Sequence, residues 1–344
     1  MTATAPLAEA PAPEPASAAS QERVAALVTE LLDARCPVAY SWSYASSRGD
    51  LRALYEKAKG EQWDGRTYLP WSTDVDPTAE LVPDSTIAIH GTHLWNKLSP
   101  KEIGELRQHM QSWTLSNFMH GEQGALLATA QIVTTVPWID AKFYAATQVM
   151  DEARHVEVYE RYLREKIQLT YDINEHLRSL LDQILSDPRW DMKYLGMQIL
   201  VEGLALAAFK FMHTFTREPL IKELTHMVMR DEARHVAFGV LSLRDFYHHE
   251  INEKERRERE EFTYEACRLM RDRFLAIEVW KNLGFPVAEC TELALHSATM
   301  TEFRRLLFMR IVPNIKRLGL LSPFLRQRFQ ELGILQFEDM PADA

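Results

Sequence analysis

From residue 99 onwards, hydrophobic positions recur with the spacing of buried helix faces, and the pattern stops only at short breaks. Ser99-Pro100-Lys101-Glu102 supplies an N-cap, a proline at the first helical position and the glutamate of a capping box, which predicts a long helix running towards Pro137. Further helices are predicted over 139–167, 173–186, 190–215, 218–248 and 253–282, divided by Asp187-Pro188, Glu218-Pro219 and the Gly284 to Pro286 turn. Long helices in sequence with short connections predict an all-α bundle. Residues 283–344 read as shorter helices packed on it. Before the bundle, 20–98 begins as helical text and then mixes short helical pieces such as 52–61 with turn signals at Gly65, Pro70, Pro77 and Pro83. This predicts a wrap of short helices and loops. Residues 1–19 are rich in Ala, Pro and Glu without periodicity, and are expected to be a disordered tail.

Composition sharpens this picture. Hydrophobic residues make up 46% and charged residues 26%, enough for a large core, and only 13 glycines in 344 residues leave few turns, as a helical protein would. A formal charge of −10 argues against nucleic-acid binding. Cys36, Cys267 and Cys290 are odd in number and far apart, so neither a disulfide framework nor a cysteine-bound cluster is expected, and a cytoplasmic location follows. No uninterrupted apolar run reaches the roughly 18 residues of a membrane span, and no secretory leader is expected.

The chemistry lies in a repeat. Asp151-Glu152-Ala153-Arg154-His155 recurs letter for letter as Asp231-Glu232-Ala233-Arg234-His235, eighty positions later, and each is preceded by a glutamate after 28 intervening residues, Glu122 and Glu202. Glu and His three positions apart share a helix face about 5–6 Å apart, so each motif can converge on one centre. An unrepeated Glu223 to His226 pair shows that the spacing alone means little. The lone glutamates carry more weight. Glu202 is the only charge between Tyr194 and Phe209, and Glu122 the only one between Gly121 and Trp138. Four buried carboxylates repel one another unless cations sit among them, and two divalent ions balance them while two imidazoles add neutral nitrogen donors suited to iron or manganese. A zinc hydrolase fits poorly, since no H-E-x-x-H occurs.

This constellation resembles the ferritin-like di-iron carboxylate oxygenases, particularly the p-aminobenzoate N-oxygenase group and more distantly the bacterial multicomponent monooxygenase hydroxylases, over about residues 99–249. The resemblance implies a ferritin-like four-helix bundle with a di-metal core and extra N- and C-terminal helices. It implies two Fe ions, or Mn/Fe, with Glu122, Glu152 and His155 serving one, Glu202, Glu232 and His235 the other, and Glu152 and Glu232 bridging. Asp151 and Asp231 would hold the ligand histidines through their free ring nitrogens, with Arg154 and Arg234 paired to those aspartates. The arylamine N-oxygenases carry an additional histidine ligand four residues before the second motif glutamate, where this chain has Val228. Tyr159, four residues after His155, stands where ribonucleotide reductase small subunits carry a radical tyrosine, although packing beside the site is the simpler role; residues 54–64, with Tyr55 and Trp63, also look like the leading segment of such proteins. His120 and His213 are expected in the core, and the cations from Arg304 to Arg317 are expected to pack on the bundle.

The expected function is O2-activating oxidation of a small organic substrate by N-oxygenation, hydroxylation or desaturation. Without a nucleotide fingerprint or cluster cysteines, the electrons must come from an external donor or reductase. The alternatives are a ribonucleotide-reductase-like radical or ligand-binding oxidase, and a ferroxidase, for which the extra helices would be superfluous. A homodimer is compatible with the sequence.

Overall fold

The computed structural model describes residues 31–342, so the expected tail over 1–19 lies outside the described residues. Among those residues the regular elements are all helical. Helix α1 (Gly49–Gly60) and the short α2 (Gly65–Tyr68) precede two helical hairpins. In the first, α3 (Pro100–Thr135) turns through 136–138 into α4 (Ile139–Tyr162), which runs on as a π-helical turn, Leu163–Ile167. Helix α5 (Glu175–Ser186) connects to the second hairpin. Its first arm is one long helix in three parts, α6 (Trp190–Tyr194), a π-helical stretch Leu195–Val201 and α7 (Glu202–Phe215); its second arm is α8 (Pro219–His249). Helix α9 (Glu253–Asp272) follows, then α10 (Ile277–Asn282), α11 (Val287–His296), α12 (Ala298–Phe308), α13 (Ile311–Arg317) and α14 (Pro323–Glu331). From Ala34 onwards the described residues form one compact unit.

Local sequence accounts for the hairpins. Ser99 Oγ accepts from the Glu102 N–H while the Glu102 carboxylate accepts from the Ser99 N–H, so α3 starts at its capping box and runs unbroken for 36 residues. Glu218 caps α8 by accepting from the Leu220 and Ile221 N–H groups, both at 2.6 Å, where a negative charge also suits the helix dipole. Between the four hairpin arms lies the main core, with Leu115, Ala128, Tyr144, Phe209, Val228 and Phe238 buried.

One helix is more apolar than its neighbours, and one expected helix is divided in two. Trp190–Phe215 is long and apolar enough to cross a membrane by length and composition, with a mean hydropathy of 1.5 in its most apolar window, even though no uninterrupted run announces it. Some 78% of that window is buried inside the molecule, which makes it a core helix enclosed by its neighbours. The helix expected over 253–282 also does not run through. It ends at Asp272, continues as a 3₁₀ turn Arg273–Leu275, and restarts after Ala276, which takes the left-handed conformation with φ 51°. No glycine or proline marks this break. It is set by packing: Leu275, Ala276, Val279 and Trp280 enter a second, smaller core with Ile89 and Leu106, and the Trp280 indole N–H donates to the Leu275 carbonyl at 2.8 Å.

Candidate metal centre

Each hairpin places its lone glutamate on the first arm and its pentapeptide on the second. Glu122 stands on α3, Glu152 and His155 on α4, Glu202 at the start of α7, and Glu232 and His235 on α8, and all six are buried. They form two overlapping groups. Ligand atoms of Glu122, Glu152, His155 and Glu232 lie within 4.8 Å of one another, as do those of Glu152, Glu202 and His235. Glu152 belongs to both groups. Glu232 Oε1 lies 3.3 Å from His155 Nδ1 and 3.5 Å from His235 Nδ1, so it also stands between the halves.

Around this inner set the two motifs are crossed. His155 Nε2 donates to Asp231 of the other motif at 3.2 Å, and His235 Nε2 donates to Asp151 at 3.3 Å. Arg154 Nη2 reaches Asp151 at 2.5 Å and Asp231 at 3.0 Å; Arg234 Nη2 reaches Asp231 at 2.5 Å and Asp151 at 3.3 Å. An ionised aspartate only accepts, so Nε2 of each ring carries the proton and Nδ1 turns its lone pair to the glutamates. The two arginines neutralise the two aspartates.

The segment after α1 closes this layer. Gln62 donates to Asp151 at 2.8 Å and accepts from Arg154 at 2.8 Å, the Trp63 indole donates to Asp231 at 2.8 Å, and Glu61 accepts from Arg234 at 2.7 Å. Trp63 had a sequence signal; Glu61 and Gln62 had none. Gln148, one turn before Glu152, was also missed. Its amide donates to Glu152 Oε1 at 3.0 Å and to Glu202 Oε1 at 2.8 Å, tying two glutamates from different hairpins. It occupies in the first repeat the position of Val228 in the second, a correspondence that could have drawn attention to it.

The cluster attracts positive charge. Burial, then the charge of Glu232, pushes Glu122 and Glu202 well above the usual carboxylate range. Burial opposes ionisation of His155 and His235, yet the facing carboxylates, Glu122 for the first and Glu152 for the second, raise both imidazoles well above their ordinary value. Glu152 Oε2, Glu202 Oε2, both Glu232 oxygens and His235 Nδ1 have no hydrogen-bond partner although buried. Such atoms are costly to desolvate without a ligand, and hard, carboxylate-rich donors with two imidazoles fit a pair of iron or manganese ions.

The other histidines lie elsewhere. His120 bonds the Tyr171 carbonyl at 2.9 Å, His213 bonds the Lys222 carbonyl at 3.0 Å, and Glu223 accepts from Tyr68 at 3.2 Å. Tyr159 is fully buried with an unpartnered hydroxyl, its ring 6.0 Å from both Phe118 and Phe209.

A search of curated protein sequences gave no match. Among solved structures, an R2-like ligand-binding oxidase with aerobically reconstituted metal cofactor after photoconversion is similar at 15% identity, over 79% of this chain and 93% of that one, with a TM-score of 0.49. The same kind of oxidase with an aerobically reconstituted Mn/Fe cofactor is similar at 15% identity over 79% and 92%, with a TM-score of 0.46. Residues 46–319 match the family described as p-aminobenzoate N-oxygenase AurF, a span that takes in both hairpins and the covering segment. The chain therefore belongs to the AurF family and is a non-haem di-iron oxidoreductase.

Proposed function

We propose that this protein is an O2-activating oxygenase of a small organic molecule, with Glu122, Glu152, His155, Glu202, Glu232 and His235 as its metal ligands. The observation that carries the reading is the convergence of four glutamates and two Nδ1 lone pairs from two hairpins, with buried oxygens left unpartnered. Two bound iron ions would supply the redox capacity to reduce O2 and oxidise the substrate, and Mn/Fe would suit the same donors.

The protein's own groups prepare the site. Asp151 and Asp231 fix the tautomer and orientation of the imidazoles, and Arg154 and Arg234 hold those aspartates ionised. With the aspartates neutralised, four negative charges face the interior, matching two divalent cations. Gln148 restrains one oxygen each of Glu152 and Glu202, leaving Glu202 Oε2 free. The apolar walls around the cluster keep bulk water away from it. An external reductant remains part of the proposal, since the chain carries no nucleotide fingerprint. A cavity lined by Phe118, one turn from Glu122, supports an organic substrate over iron storage.

The test is anaerobic Fe(II) titration of the metal-free protein followed by rapid mixing with O2. Close to two irons per chain and an O2-dependent absorption change, both lost in Glu202→Ala, are expected. Binding of no more than one iron, or wild-type behaviour of the variant, would overturn the proposal.

A further inference from the structure

The two groups of ligand atoms in the centre are unequal. Glu122, Glu152, His155 and Glu232 bring four side chains to one group, whereas Glu152, Glu202 and His235 bring three to the other. Beside the smaller group stands Gln148, fully buried on α4 one turn before Glu152. Its amide nitrogen lies 2.8 Å from Glu202 Oε1 and 3.0 Å from Glu152 Oε1, and His235 Nδ1 lies 3.0 Å from that same Glu152 oxygen. A cation that holds its ligands at about 2.1 Å in octahedral geometry sets neighbouring donor atoms about 3 Å apart. The end of the Gln148 side chain therefore stands at the spacing of a further ligand to the smaller group.

The nitrogen faces the glutamates because carboxylates only accept hydrogen bonds. The carbonyl oxygen of the same amide is turned the other way and, although buried, has no hydrogen-bond partner. A cation shared by Glu152 and Glu202 reverses the preference, since it repels the amide N–H groups and attracts the carbonyl dipole. The last side-chain torsion of glutamine is broad and two-fold, so a half-turn about it exchanges the two atoms while the helix and the rest of the side chain stay in place.

We propose that Gln148 is a seventh metal ligand, its amide oxygen joining Glu152, Glu202 and His235 so that each group supplies four side chains. The proposal rests on the metal ligands proposed above and is independent of what the enzyme oxidises. A neutral amide adds no charge, so the four glutamates still balance two divalent cations. The matching position of the second repeat is Val228, which has no donor atom, and the seventh ligand therefore belongs to one hairpin alone.

Cobalt(II), which suits the donors of an iron site and is not oxidised when O2 is excluded, tests this on the full-length chain by ligand-field absorption and by competition with a chelator. Two cobalt ions per chain are expected. Gln148→Leu is expected to weaken one of them at least about tenfold, with a changed absorption spectrum for that ion, and to leave the other as in wild type. Gln148→Glu decides which end of the amide matters. It keeps an oxygen at the position and removes the N–H groups, so a ligand predicts affinity at or above wild type, whereas a glutamine that only restrains its neighbours predicts a loss as large as in Gln148→Leu. Both variants are prepared with cobalt present and read by withdrawal of the metal, and Gln148→Met serves for Gln148→Leu if that variant fails to fold. Wild-type cobalt affinity in Gln148→Leu, equal weakening of both ions, or equal losses in the Leu and Glu variants would overturn the assignment. Two bound cobalt ions with any of these results removes the seventh ligand alone. No more than one cobalt in wild type removes the paired centre together with it, and iron-loaded protein that ignores O2 removes the oxygenase reading while the ligand assignment stands.

Discussion

The two hairpins carry the same five letters and the same spacing, yet their surroundings differ at several neighbouring positions. In the first, Glu122 sits inside regular α-helix and Tyr159 fills the space four residues after His155. In the second, Glu202 follows seven residues of π-helix, and the position matching Tyr159 is Gly239. The glycine is required there: a Cβ would meet Gln198 Cβ at 2.7 Å and Ile199 Cδ1 at 3.0 Å, both in the π-helical stretch. Where one hairpin packs a phenol, the other packs the Gln198 and Ile199 side chains of the π-helical stretch in its own first arm. The motif letters are thus shared while the flanks are packed differently, and Phe118 touches both sides, with its ring 6.0 Å from Tyr159 of the first hairpin and 4.7 Å from Phe209 of the second.

The sharpest way to probe this difference is Gln148, whose repeat partner is Val228. Gln148→Val makes the two positions alike and removes the donor shared by Glu152 and Glu202. Metal affinity should fall about ten- to a hundredfold, measured by competition with a chelator that resolves successive binding steps. Wild-type affinity would mean that the asymmetry here is packing alone. Next in size, Gly239→Ala should destabilise the fold by roughly 1–3 kcal/mol through overpacking, read from denaturant midpoints at constant m-value. An unchanged midpoint would show that the π-helical stretch can move aside. The smallest effect is expected from Tyr159→Phe. Its hydroxyl has no partner, so stability should stay within about 0.5 kcal/mol of wild type. If metal content is retained but O2-dependent oxidation disappears, the hydroxyl has a redox task beyond packing.

Much of the fold was legible because its signals are local. Ser99 with Glu102 and Glu218 with Pro219 mark two helix starts, and the boundaries of Trp190–Phe215 were read from flanking breaks. The six candidate ligands were legible because they repeat, and a repeat is visible without knowing the fold. The crossing of His155 to Asp231 and of His235 to Asp151 was not, since within each motif the pairing of own histidine with own aspartate is equally compatible with the letters. Glu61 and Gln62 are ordinary surface letters until α1 lies across α4 and α8. The break at Arg273 had no punctuation to announce it, because burial of Leu275 and Trp280 in a separate core causes it.

The crossed pairs also bear on assembly. A histidine anchored by the opposite hairpin's aspartate has no fixed orientation until both hairpins have docked, so neither hairpin by itself is half of a working site. Up to Thr135 the chain carries one of the six candidate ligands, up to Tyr162 a motif whose imidazole lacks its anchor, and only beyond His235 all the partners. The reciprocal bonds therefore tie completion of the candidate site to the docking of the two hairpins, when its apolar walls are already around it.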